Sequence, residues 1–323
     1  MKINLNELLE NDQIDLKPLE DLRKEKLGIV RKNLFLSVSI AVSLTIFSFL
    51  LFGAPKSVFL AVLIYLLVLF ILILILGIIL LNKHLSTYVS SFRRDALLLA
   101  FNKLNLPLKF SESADITADQ FNSNGIFDHA SIFKFTDVFQ GKILELDTKF
   151  GDAVAQRKVA TKNGQRTETL FQGLYAKTSL ELNKGFSLYL RRDTTYNLTL
   201  LQSSPEKGAT LVKIPNKAFE KKYVVHSTHP TLAESFFNDE TQRKLIKLSK
   251  KYNDSVQFSI CQGKLHFCLN NGRDNFLIAI RKPVQESLQI CFDELNFSIE
   301  FVQEFLEMVK EPIAQLQAGN FNK

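Results

Sequence analysis

Two runs without a single Asp, Glu, Lys, Arg or His, Leu34 to Phe52 and Val58 to Leu81, constrain this 323-residue chain more than any other feature. At 1.5 Å per residue, either run as a helix is long enough to cross a hydrocarbon core of roughly 30 Å. The linking Gly53-Ala54-Pro55-Lys56-Ser57 has room only for a tight turn, and Pro55 cannot continue a helix without losing a backbone hydrogen bond. The expectation is therefore a transmembrane helical hairpin, 34–52 and 58–81.

Lys and Arg resist translocation, so their distribution predicts which side the hairpin's ends occupy. Arg23, Lys24, Lys26, Arg31 and Lys32 precede the first run and Lys83, Arg93 and Arg94 follow the second, whereas the turn offers only Lys56. This places both termini in the cytosol. Cys261, Cys268 and Cys291 are too few and odd in number for a disulfide framework, which agrees with a reducing compartment. A pore or pump needs ionisable groups at membrane depth, so the runs read as an anchor in the lipid bilayer.

Four segments follow: a cytosolic arm, 1–33; the hairpin, 34–81; a stalk helix, 82–105; and a cytosolic α+β domain, 106–323. Leu85, Val89, Phe92, Ala96 and Leu99 step by four and three along one face of the stalk. Thr117-Ala-Asp-Gln120 and Thr231-Leu-Ala-Glu234 have the spacing of capping boxes. From Val138 to Pro215 short β-branched and aromatic runs between Gly, Asn and Pro predict an antiparallel sheet, with a long ribbon turning at Asn163-Gly164.

In "VQFSICQGKLHFCL" a two-residue turn at Gln262-Gly263 sets Ile260 opposite Leu265, Phe258 opposite Phe267 and Val256 opposite Leu269, all on one face. The chain closes with a helix from about Glu286. Leu288, Phe292, Leu295, Ile299, Val302, Leu306 and Val309 form a stripe that suits the domain core better than a coiled-coil seam, since Phe297, Phe301 and Phe305 widen it. A homo-oligomer through this helix is the other reading. Strands followed by helices without strict alternation give an α+β class.

"ITADQFNSNGIF", the pair "VFQGK" and "LFQGLY", and "LVKIPNKAFEKKYVVHSTHPTLAESFF" followed by a helix and "FSICQGKLHFCL" resemble the bacterial domain-of-unknown-function family thirty-one thirty-seven. The resemblance runs from about residue 20 to 310. It implies two N-terminal membrane helices and a cytosolic domain in the bacterial inner membrane, and it transfers no catalytic residue.

The chemistry-bearing residues favour an interaction module with an unknown protein partner. His226 and His229, with Glu234, could share a metal only from a common helical face, which Pro230 and the strand-like Tyr223-Val-Val225 oppose. Glu145, Asp147 and Asp152 alternate as a solvated strand face does. No metal, cofactor or catalytic residue is assigned, and at net charge +7 no nucleic-acid motif is present. The alternative is a membrane-tethered enzyme assembled around His226, His229 and Asp147. Arg157, Lys158, Lys162 and Arg166 cluster at the ribbon tip, either for solubility or for contact with anionic lipid headgroups.

Overall fold

The computed structural model describes residues 15–52, 59–98, 108–162, 164–182, 184–193, 205–252, 256–276 and 278–318. They fall into two compact units, a helical one of Leu5–Lys103 with Ile278–Gln289, and a sheet-bearing one formed chiefly by Leu104–Leu277 and Ile290–Lys323.

In the helical unit, α1 spans Lys17–Phe52 and α2 spans Phe59–Phe92, the latter passing into a π-helical turn at Arg93–Leu98. Glu20 anchors the start of α1. It accepts from Arg23 at 2.6 Å and from the Val284 N–H at 3.1 Å, while Arg23 donates to the Ile280 carbonyl at 3.0 Å. The Arg23 hydrogen bond outweighs partial burial and holds the Glu20 carboxyl down at about 2.

The expected transmembrane hairpin is overturned. Among the described residues no helix is long and apolar enough to cross a membrane. The apolar runs are parts of longer helices whose remainders are polar. α1 carries Glu20, Asp21, Arg23, Lys24, Glu25, Lys26, Arg31 and Lys32 in its first half, and α2 continues through Asn82, Lys83 and His84. The multi-pass inner-membrane placement with both termini cytosolic falls with it, and the expected turn at 53–57 lies outside the described residues.

The sheet unit begins with β1 (Leu108–Ser113), α3 (Ala118–Asn122), β2 (Ile132–Ile143), β3 (Leu146–Thr161), β4 (Gly164–Ser179) and β5 (Leu188–Arg192). It continues with β6 (Thr210–Val212), α4 (Lys217–Glu220), β7 (Tyr223–Ser227), α5 (Pro230–Phe236), α6 (Asp239–Lys251), β8 (Val256–Cys261), β9 (Lys264–Leu269) and α7 (Val284–Ala318). The strands form one antiparallel sheet in the order β1-β2-β3-β4-β9-β8-β5-β7-β6, so the β8–β9 hairpin lies between β4 and β5.

The β8–β9 register is the one its alternation dictates, Val256↔Leu269, Phe258↔Phe267 and Ile260↔Leu265. Gln262 (φ +52°) and Gly263 (φ +71°) supply the left-handed pair that a two-residue turn requires. This face packs on α7. Phe305 stacks on Phe267 at 4.3 Å between centroids and meets Phe258 at 5.5 Å, and the stripe from Leu288 to Val309 is buried in the chain's own interior.

Two local expectations shift. In the ribbon Thr161 pairs with Gly164, so Gly164 opens β4 instead of sitting in the turn, and Asn163 lies outside the described residues. The box at Thr231 does not form, because α5 starts earlier, with Pro230 in its first turn and His229 at the N-cap position, where its side chain does not cap the helix. The box at Thr117 does form, with Thr117 and Gln120 bonding reciprocally. On α6, Asn238 caps the Thr241 N–H at 2.9 Å, with acids in the first turn and lysines in the last, as the helix dipole favours.

Candidate functional site

The face of the sheet opposite α7 is polar at its centre. Residues directly opposite in an antiparallel ladder share a face, and the registers place Lys177, His266, Ser259, Tyr189 and His226 in one row across β4, β9, β8, β5 and β7. The segment after α3 covers this row. Arg191 donates to the Ile126 carbonyl and to Asp128, each at 3.0 Å, and Phe121 meets Tyr175 edge-on at 5.6 Å. Gly125, at φ +66°, approaches so closely that a Cβ there would sit 2.5 Å from the Tyr189 ring.

The surroundings of both histidines in the row favour their neutral forms. Burial and the nearby Arg191 push His226 down, and burial with Lys177 and Lys264 pushes His266 to about 3. Tyr175, raised by burial, keeps its proton and shares a hydrogen bond of 2.7 Å with His266 Nδ1. Burial also pushes the Cys261 thiol up to about 11, the opposite of what a nucleophile needs.

A second constellation joins residues that are far apart in sequence. The register between β2 and β3 shifts between Thr136 and Phe139, with Asp137 at φ +50°. Gly151 meets that bulge so tightly that a Cβ would lie 2.6 Å from the Asp137 carbonyl oxygen. Carboxylate oxygens of Asp137, Asp152 and Asp274 then come within 4.8 Å of one another. Burial raises Asp152 to about 8, with Asp274 adding to the rise and hydrogen bonds from Asn275 and the Phe276 N–H opposing it. Asn275 Nδ2 donates to one Asp152 oxygen and the Phe276 N–H to the other at 3.1 Å. Such a set can share a proton or take a hard cation. Each oxygen of Asp152 accepts one of the two donors, which latches β3 to the loop after β9.

The residues singled out by sequence have separate surroundings. Asp147 faces Lys142 in the β2–β3 ladder, and Glu145 sits in the adjoining turn. His226 is buried in β7, while the exposed His229 accepts or donates at Thr228 Oγ1 over 3.0 Å. On the ribbon, Arg157 is held by Glu168 at 2.9 Å and Asp128 at 3.3 Å, whereas Lys158, Lys162 and Arg166 are exposed and form no ion pair among the described residues. Sequence reasoning missed Asp137, Asp274 and Asn275. The available signal was Gly151-Asp152 inside the apolar "KFGDAVA" strand, an acid where the face pattern calls for burial.

No curated protein matches this chain. Among solved structures it is similar to the mycobacterial trehalose monomycolate transport factor A, TtfA, at 9% identity and a TM-score of 0.31, over 62% of this chain and 88% of that one. A likeness of that strength carries no argument. Residues 169–306, from β4 into α7, match the family model described as "Protein of unknown function (DUF3137)".

Proposed function

We propose that the chain is an interaction module whose sheet unit offers the β3–β4 ribbon to an anionic surface, with lipid headgroups as the partner. One observation carries this reading. Lys158, Lys162 and Arg166 stand exposed and, among the described residues, outside any ion pair at the end of a two-stranded projection, while Arg157 is paired with Glu168 and Asp128. Near an anionic leaflet each basic side chain gains about 1 kcal/mol, so three together give roughly two orders of magnitude in affinity. The enzyme reading has less support, since His226, His229 and Asp147 occupy unrelated environments.

The test compares the full chain with its K158Q/K162Q/R166Q variant on phosphatidylglycerol-containing and on phosphatidylcholine vesicles. The parent should bind the anionic vesicles more tightly, with an advantage that salt and the triple replacement both abolish. Equal binding of parent and variant to the anionic vesicles at low salt refutes the reading.

A further inference from the structure

The row that crosses the polar face continues beyond its covered centre. Lys149 on β3 stands directly opposite Lys177 on β4, and Lys177 is directly opposite His266 on β9. Lys264 joins them from β9. It faces Ser179, two residues along β4 from Lys177, so it lies diagonal to Lys177 on the same face. Opposite residues in an antiparallel ladder have Cβ atoms about 5 Å apart and diagonal ones about 7 to 8 Å, close enough for three lysine side chains to converge on one point.

Like charges in these positions oppose folding. Lys149 is exposed and can turn into solvent, but Lys177 is half-buried on a strand enclosed between β3 and β9. Burial, with Lys264 and Lys149 adding to it, holds the Lys177 ammonium below the usual lysine range. Among the described residues none of the three lysines is in an ion pair. Of the acids that border the group, Asp147 stands opposite Lys142 and Glu206 lies against Tyr189.

The group lacks negative charge spread over several acceptor oxygens. Each ammonium carries three donors and no acceptor, and the Ser179 hydroxyl adds a donor beside them. A carboxylate brings two oxygens and a single charge, whereas a phosphate monoester brings three oxygens and close to two charges at neutral pH, the better match to three cations.

We propose that Lys149, Lys177 and Lys264, with Ser179, form a binding site for a phosphate group, carried either by a small soluble compound or by a lipid headgroup. The site is separate from the ribbon tip. Lys149 and Lys158 are far apart along β3, about 30 Å and several Debye lengths.

The test titrates the full chain and its K177M and K247M variants with inorganic phosphate at constant ionic strength, and separately with phosphatidylcholine vesicles carrying phosphatidic acid. Met keeps the length of the lysine stem and removes only the charge. K177M should bind about tenfold more weakly, the size of one charge-assisted hydrogen bond, and K247M, which removes an exposed lysine of α6, should bind as the parent does. Without phosphate K177M should unfold at no lower temperature than the parent, because the replacement relieves repulsion. A loss seen with inorganic phosphate identifies a soluble ligand, and a loss seen only on the vesicles identifies a headgroup. A parent that binds neither probe, K177M binding both as the parent does, or an equal loss in K247M overturns the site. None of these results bears on the ribbon, whose cations are intact in every variant.

Discussion

Asp152 sits in a conflict that pH can expose. Burial favours its neutral form, while Asn275 and the Phe276 N–H are arranged as donors to an ionised one, and burial is the larger effect, raising the group to about 8. In the unfolded chain an aspartate ionises near 3.9, so between about pH 4 and 8 the folded state holds a proton that the unfolded state has released. Stability from this group is fully present below the unfolded pKa and is lost as pH rises through the folded one, by about 1.36 kcal/mol per pH unit. Between pH 5 and 7 the loss amounts to about 2.7 kcal/mol. His266 and His226, both depressed by burial, act in the opposite sense, costing stability as pH falls below about 6.5. They are unchanged in D152N, so the difference between parent and variant isolates the carboxyl. Urea unfolding followed by far-UV circular dichroism at pH 5, 6 and 7 should show the parent losing about 2.7 kcal/mol relative to D152N over that range. A constant difference would mean that Asp152 is ionised throughout and that the two donors outweigh burial.

Replacing Phe305, fully buried and stacked on Phe267, with Ala should destabilise the sheet unit by about 3 to 5 kcal/mol, read as a fall in the urea midpoint. Cys261, Cys268 and Cys291 are buried, so iodoacetamide should label them only after denaturant is added. Fast labelling of Cys261 in the native protein would show that the covering segment opens readily.

The sheet's local pieces were legible in sequence because each is held by short-range physics. The β8–β9 hairpin follows from period-two alternation around Gln262-Gly263, and the ribbon from two long strand patterns around one turn. The order of the strands was not legible, because β9 pairs with β4 across ninety residues of intervening chain, for example Tyr175 with Cys268. The same distance hid the acid cluster, whose Asp137 and Asp274 meet only once a bulge in β2 and the loop after β9 are both in place. The apolar runs misled in a different way. Hydropathy reports a stretch of composition, whereas α1 and α2 carry those stretches on into charged sequence, which a window centred on the runs leaves out.

The insertion of β8–β9 between β4 and β5 also bears on how the chain matures on the ribosome. β1 to β4 form a meander of neighbours and can assemble as soon as they emerge, but β4 then waits with an open edge until residue 269 has been made. β5, β7 and β6 wait too, since the strand that joins them to the rest is β8. An unpaired edge is a template for pairing with a neighbouring chain, and long-range closure is slow. The nascent protein is therefore most exposed to misassembly while translation crosses the interval from β4 to β9, and a stall there should trap aggregates that a stall after α7 does not.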